Sequence, residues 1–156
     1  MRRIVGLGTA ISALLLVFAV CGLAAGEKTE IRVRLIDVHS GKPYASRHVE
    51  IFGTNAPPGS GLHSNEIFFH LQTKTGPDGV ARFQIPAPLP YRLVFNSAQA
   101  NGCGPPGFAS FVTAEVMRAG IVVPNTCAGK HQKYDWREVT AQPGEIVIFA
   151  VEPRGP

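Results

Sequence analysis

Five histidines, three cysteines and a single tryptophan are the residues of this 156-residue chain whose types could carry chemistry. His39, His48, His63, His70 and His131 include no His-x-His or His-x-x-x-His pair, the spacings that bring two imidazoles to one metal. The pattern therefore predicts surface histidines and no metal centre, and no residue pattern asks for a cofactor. No serine stands in the Gly-x-Ser-x-Gly setting of an activated nucleophile. The one aromatic cluster with flanking polar groups is Lys133-Tyr134-Asp135-Trp136-Arg137-Glu138. Tyr134 and Trp136 combine large ring faces with hydrogen-bonding neighbours, which suits a glycan or protein partner. The competing role for Trp136 is to pack back over the fold and close one end of it.

The cysteines take their meaning from the N-terminus. Met1-Arg2-Arg3 is basic, residues 4–23 are an almost unbroken apolar run, and Ala24-Ala25-Gly26 supplies small residues before Glu27-Lys28. This order is that of a signal peptide over residues 1–26, with cleavage after Ala25 or Gly26, and it predicts a secreted or periplasmic protein. Two alternatives stay open. The run is near the ~20 residues that span a bilayer, so an uncleaved segment would act as a membrane anchor. Cys21 could carry a lipid, although Val20 before it is larger than the residue lipoprotein processing favours. Cleavage would leave Cys103 and Cys127, 24 positions apart, as a disulfide pair in an oxidising compartment. Closing such a loop contributes about 3 kcal/mol by chain entropy.

The formal charge of +4 falls to +2 without Arg2 and Arg3, with 13 basic against 11 acidic side chains. The basic residues are scattered, which argues against a nucleic-acid partner.

The elements that would position these residues are strands. Residues 30–38 alternate Ile31, Val33 and Leu35 with Arg32 and Arg34, and Asp37 at the end is placed to serve the turn His39-Ser40-Gly41-Lys42-Pro43. Residues 47–53 alternate again with Val49 and Ile51 inward. Residues 67–73 form a third strand with His70 on the outer parity, as His48 is on the second. Gly76-Pro77-Asp78-Gly79 is a tight turn, read as a hairpin into a fourth strand over 80–85. Pro86, Pro88 and Pro90 break pairing before a fifth strand over 91–96, with Tyr91, Leu93 and Phe95 on one face. Residues 111–117 have strand-like composition, although a short helix over 114–119 is the alternative, and a short apolar piece covers 120–123. The last strand, 145–151, is apolar on both parities and is expected to be buried on both faces. Long loops fall at 54–66, 97–110 and 125–144. The whole predicts an all-β sandwich of seven strands, within a range of six to eight, over residues 27–156.

The series of Asp37, Ser40-Gly41-Lys42-Pro43, Val49-Glu50-Ile51 and Thr75…Asp78-Gly79-Val80-Ala81-Arg82-Phe83 resembles the carboxypeptidase regulatory-like domains. These are prealbumin-like (transthyretin-like) β-sandwiches related to bacterial Cna B-type modules, and the resemblance covers roughly residues 31–95. It implies a non-enzymatic binding or scaffolding module whose partner is an envelope or extracellular protein or a glycan. Two prealbumin-like enzyme families do not fit. Hydroxyisourate hydrolases end in Tyr-Arg-Gly-Ser, whereas this sequence ends Pro153-Arg154-Gly155-Pro156. Intradiol dioxygenases need two Tyr and two His around iron, and Tyr44, Tyr91 and Tyr134 show no such pairing with histidines.

Overall fold

The computed structural model describes residues 28–57, 66–96, 108–127 and 135–151. Eight strands form two sheets of four, which pack as a β-sandwich. They are β1 (Lys28–Asp37), β2 (His48–Thr54), β3 (Ile67–Lys74), β4 (Val80–Pro86), β5 (Arg92–Asn96), β6 (Phe108–Val112), β7 (Ile121–Val122) and β8 (Glu145–Ala150). A helix, α1 (Thr113–Ala119), and a 3₁₀ turn over Trp136–Glu138 complete the described elements. The eight strands among the described residues stand at the upper end of the expected six to eight, and the two-residue β7 falls in the short apolar piece at 120–123.

One sheet has the order β4-β1-β8-β7 and the other β3-β2-β5-β6. β1 pairs antiparallel with β4 (Ile31 opposite Phe83) and parallel with β8 (Leu35 opposite Ile148). Alternation fixes which side chains meet between the sheets. Ile31, Val33 and Leu35 of β1 join Val49 and Ile51, Phe83 and Ile85, Leu93 and Phe95, and Ile146 and Ile148 in one buried core. All six residues of β8 are buried, as its double-sided apolar pattern requires. Val147 and Phe149 on its second face meet Ile36 and Val38 in a smaller outer core. Trp136, Val139 and Ala141 cover that core.

The turn at 76–79 is tight, but it does not make a hairpin. β3 and β4 belong to different sheets, so the turn is a corner that carries the chain from one sheet to the other. Turn chemistry sets the local backbone; the partner of each strand is decided by longer-range packing, and β4 finds β1. At the corner Gly79 adopts φ 72° and its amide donates to the Gly76 carbonyl at 2.9 Å. The Val80 amide donates to Asp78 Oδ1 at 3.1 Å.

Residues 113–119 are helical, with the strand ending at Val112. Ala, Glu, Met and Arg are good helix formers, and Gly120 at φ 72° stops the helix while its amide donates to the Val116 carbonyl. Val116 drops into the main core. Tyr91 stands before β5 and is exposed, so only Leu93 and Phe95 of the expected trio face the core. Among the described residues no helix is long and apolar enough to cross a membrane. Residues 1–26, expected from sequence to be a signal peptide, lie outside the described residues.

Candidate functional site

The outer face of the β3-β2-β5-β6 sheet brings several polar groups together. Val49 and Ile51 of β2 are committed to the core, so His48, Glu50 and Phe52 must face the other way. Register then brings specific neighbours alongside, because Glu50 lies opposite Gln72 and Phe52 opposite His70 on β3. β5 flanks β2 on the other side, and Asn96 Nδ2 donates to Glu50 Oε2 at 3.3 Å.

Glu50 is the centre of this group. His70 Nε2 lies 3.7 Å from Glu50 Oε2, an ion pair whenever the imidazole is protonated. The His70 ring stacks on Phe52 with centroids 4.3 Å apart and planes 10° from parallel, which fixes the imidazole in place. The Glu50 side chain is 16% exposed and that of His70 45%, so the carboxylate is sheltered while the imidazole meets solvent. Beside them Ser46, Arg47, His48, Glu50 and Gln72 line an open groove of about 470 Å³. Arg47 sits over the Tyr44 ring at 4.2 Å, a cation–π contact that holds its stem at the groove wall. A cation, a carboxylate, an amide and imidazoles on one shallow surface can hydrogen-bond a hydroxyl-rich or peptide ligand.

A second groove, of about 520 Å³, lies on the other sheet and includes Arg34, Thr140, Gln142 and Glu145. Its charges already serve the fold. Arg34 Nε lies 3.1 Å from Glu145 Oε1, and the buried Glu145 carboxylate also accepts from the Gln142 amide at 2.9 Å.

Of the residues singled out by sequence, Trp136 is half-buried with its ring edge-on to Phe149, centroids 6.0 Å apart. Asp135 beside it caps the 3₁₀ turn by accepting from the Arg137 amide at 3.0 Å and from Arg137 Nε at 2.8 Å. The Arg137 guanidinium and amide hold the Asp135 carboxyl below the usual carboxylate range. Tyr134 and Cys103 lie outside the described residues. The Cys127 amide donates to Asn125 Oδ1 at 3.0 Å. His48 and His70 lie on the outer face as parity implied, His39 sits exposed in the turn after β1, and His63 and His131 lie outside the described residues. Among the described residues no group of three or more His, Cys, Asp or Glu side chains could hold a metal.

Sequence reasoning placed His48 and His70 on outer parities but did not join them to Glu50, because only the β2–β3 register sets Glu50 beside Gln72 and one step from His70. The fold and this face define a β-sandwich with a polar, exposed sheet surface. No family model, no curated protein and no solved structure matches the chain.

Proposed function

We propose that this chain is an exported, non-enzymatic β-sandwich module of the carboxypeptidase regulatory-like, prealbumin-like type, with a binding or scaffolding role at the cell envelope. Its recognition surface is the outer face of the β3-β2-β5-β6 sheet, and its partner is an envelope or extracellular protein or a glycan. The two four-stranded sheets, the Asp37 turn and the Thr75–Gly79 corner support the domain type. The observation that carries the recognition surface is Glu50, held by Asn96 and His70 beside the open groove of Arg47, His48 and Gln72. Trp136 is drawn onto the opposite sheet against Phe149, which favours the Glu50 face over the Tyr134/Trp136 loop as the place where a glycan would dock.

The test is capture from an envelope fraction, with a glycan array in parallel, comparing the mature protein with the Glu50→Ala/His70→Ala variant. A partner or glycan retained by the wild type and lost by the variant, at unchanged thermal midpoint, is the expected result. Equal capture by both would remove this face from the function. Turnover in a broad hydrolase screen that disappears in His70→Ala would replace the non-enzymatic reading. Cys103 and Cys127 complete the proposal as an intramolecular disulfide, for which the intact mass of the exported protein should be 2 Da below that of the dithiol form (two hydrogens lost).

A further inference from the structure

β3 is an open edge of its sheet. The order β3-β2-β5-β6 leaves one side of it without a neighbouring strand. The other edges are short or guarded. β7 has two residues, β6 has five and runs into α1, and β4 ends at Pro86 and carries the Arg82–Asp78 ion pair. β3 has eight residues, with no proline and with Lys74 as its one Lys, Arg, Asp or Glu. Proteins blunt such an edge with proline, bulges or inward charges, because its backbone groups invite another strand. One such device is present, the register shift at Gly53/Thr54, and it leaves residues 69–74 regular.

Register decides which backbone groups face outward. The Thr75 amide donates to the Arg47 carbonyl at 2.9 Å, one step beyond the His48–Lys74 pair of the β2–β3 ladder. Backbone groups alternate sides along an antiparallel strand, so Thr73, Leu71 and Phe69 also turn theirs towards β2. His70, Gln72 and Lys74 turn theirs away, and among the described residues no backbone hydrogen bond outside that ladder reaches them. Phe69 and Leu71 pack on the main core yet stay partly exposed, and Phe68 is 63% exposed. The two ends of the strand carry opposite charges. Glu66 has one oxygen buried without a hydrogen-bond partner, and neither Glu66 nor Lys74 takes part in an ion pair among the described residues.

From this edge we infer that a second copy of the chain pairs antiparallel with β3 about a two-fold axis at Leu71, so that two four-stranded sheets become one. Each His70 then faces Gln72 of the second copy, and the pair exchanges both backbone hydrogen bonds. On the core side Leu71 meets Leu71 of the second copy and Phe69 meets Thr73, which extends the apolar layer across the join. A shift by one residue would set outward groups against inward ones. Charge selects a second copy over an unlike strand. Antiparallel self-pairing brings the Lys74 end of each strand to the Glu66 end of the other, supplying each with the counter-charge it lacks within one chain. The joining bonds are made by backbone, so the pairing stands independently of the role proposed for the Glu50 face.

Sedimentation velocity of the mature protein over a concentration series tests this, and the expected result is a reversible monomer–dimer equilibrium. Gln72→Pro removes an amide that the monomer does not use. The dimer should therefore disappear while the thermal midpoint of the dilute protein stays near that of the wild type. Lys74→Glu and Glu66→Lys should each weaken self-association about fivefold, and an equimolar mixture of the two variants should recover it. A monomer at every concentration, a dimer that survives Gln72→Pro, or a mixture that associates no better than its components would overturn the inference. If Gln72→Pro does not fold, the charge variants and their mixture decide the matter without it.

Discussion

The buried Thr75 hydroxyl donates to the Tyr44 carbonyl at 2.7 Å and at the same time accepts from the Arg47 amide at 2.9 Å. The Thr75 amide completes the connection by donating to the Arg47 carbonyl at 2.9 Å. One side chain thus ties the β1–β2 connection to the corner where the chain changes sheets. Thr75→Val keeps the shape and removes the hydroxyl, leaving an inward carbonyl and amide without that partner. The expected loss is about 1–3 kcal/mol in urea unfolding. Thr75→Ser, which keeps both bonds, should lose less; equal losses would assign the effect to packing of the methyl group.

Gly79 allows that corner to close. At φ 72° an added Cβ would stand 2.7 Å from the Leu35 carbonyl oxygen and 2.9 Å from the Tyr44 amide nitrogen, both backbone atoms. The Gly79 carbonyl also accepts from the Leu35 amide at 2.9 Å, so the turn cannot swing away without breaking its link to β1. Gly79→Ala should cost at least about 2 kcal/mol, conformational strain plus collision. Gly144 has a similar φ of 76° but its nearest neighbour to an added Cβ is 3.3 Å away. Gly144→Ala should therefore cost the conformational part, about 1–2 kcal/mol, plus only the small shift that a tight contact with the Glu30 carbonyl oxygen demands, and equal midpoints for the two variants would contradict the steric account.

Asp37 links stability to pH at the first turn. Its Oδ1 accepts from the Ser40 amide at 2.7 Å, the Ser40 hydroxyl at 2.6 Å and the His39 amide at 3.2 Å. Partial burial is the largest single influence and opposes ionisation, but the hydrogen bonds from Ser40 and His39 together outweigh it and lower the pKa. With the folded value below the unfolded one, the stabilisation is complete above the unfolded pKa, about 4, and disappears as pH falls through the folded value. Asp37→Asn should be less stable than wild type at pH 7, with the gap in urea midpoint narrowing below about pH 4. Asp78 and Asp135 are present in both proteins and drop out of the comparison. A gap independent of pH would show that the carboxylate charge is irrelevant to the turn.

How much was legible in the sequence follows from the range of each signal. The alternation in β1 and the double-sided apolar run of β8 are local patterns, and the core uses them as written. Asp37 announced its turn because a carboxylate two or three residues before free amides has one obvious use. The corner at 76–79 was legible as a turn but not as a crossing between sheets, since its residues fix backbone angles and say nothing of which strand β4 will join. α1 has seven residues, too few for a helical period to rise above the β-prone Phe111 and Val112 before it. Glu50, His70 and Asn96 come from three strands. Their meeting depends on register, which no single segment encodes.

Trp136 is where fold and function compete for the same side chain. Its ring meets the edge of Phe149 and, with Val139 and Ala141, covers Ile36, Val38 and Val147 on the outer face of the β4-β1-β8-β7 sheet. Without that cover, a sheet buried on its inner face would expose an apolar outer face as well. Full burial of a tryptophan is worth about 3–5 kcal/mol on truncation, so a half-buried ring predicts a loss of about 2 kcal/mol for Trp136→Ala. Asp135→Ala, which removes the cap of the 3₁₀ turn and leaves the ring intact, should reproduce only a fraction of that loss, about 1 kcal/mol. A ring serving the outer core leaves capture by the Glu50 face intact when it is removed, whereas a ring serving as a docking platform leaves stability intact and removes glycan binding. The two outcomes exclude each other, and thermal unfolding together with the glycan array reads both from one variant.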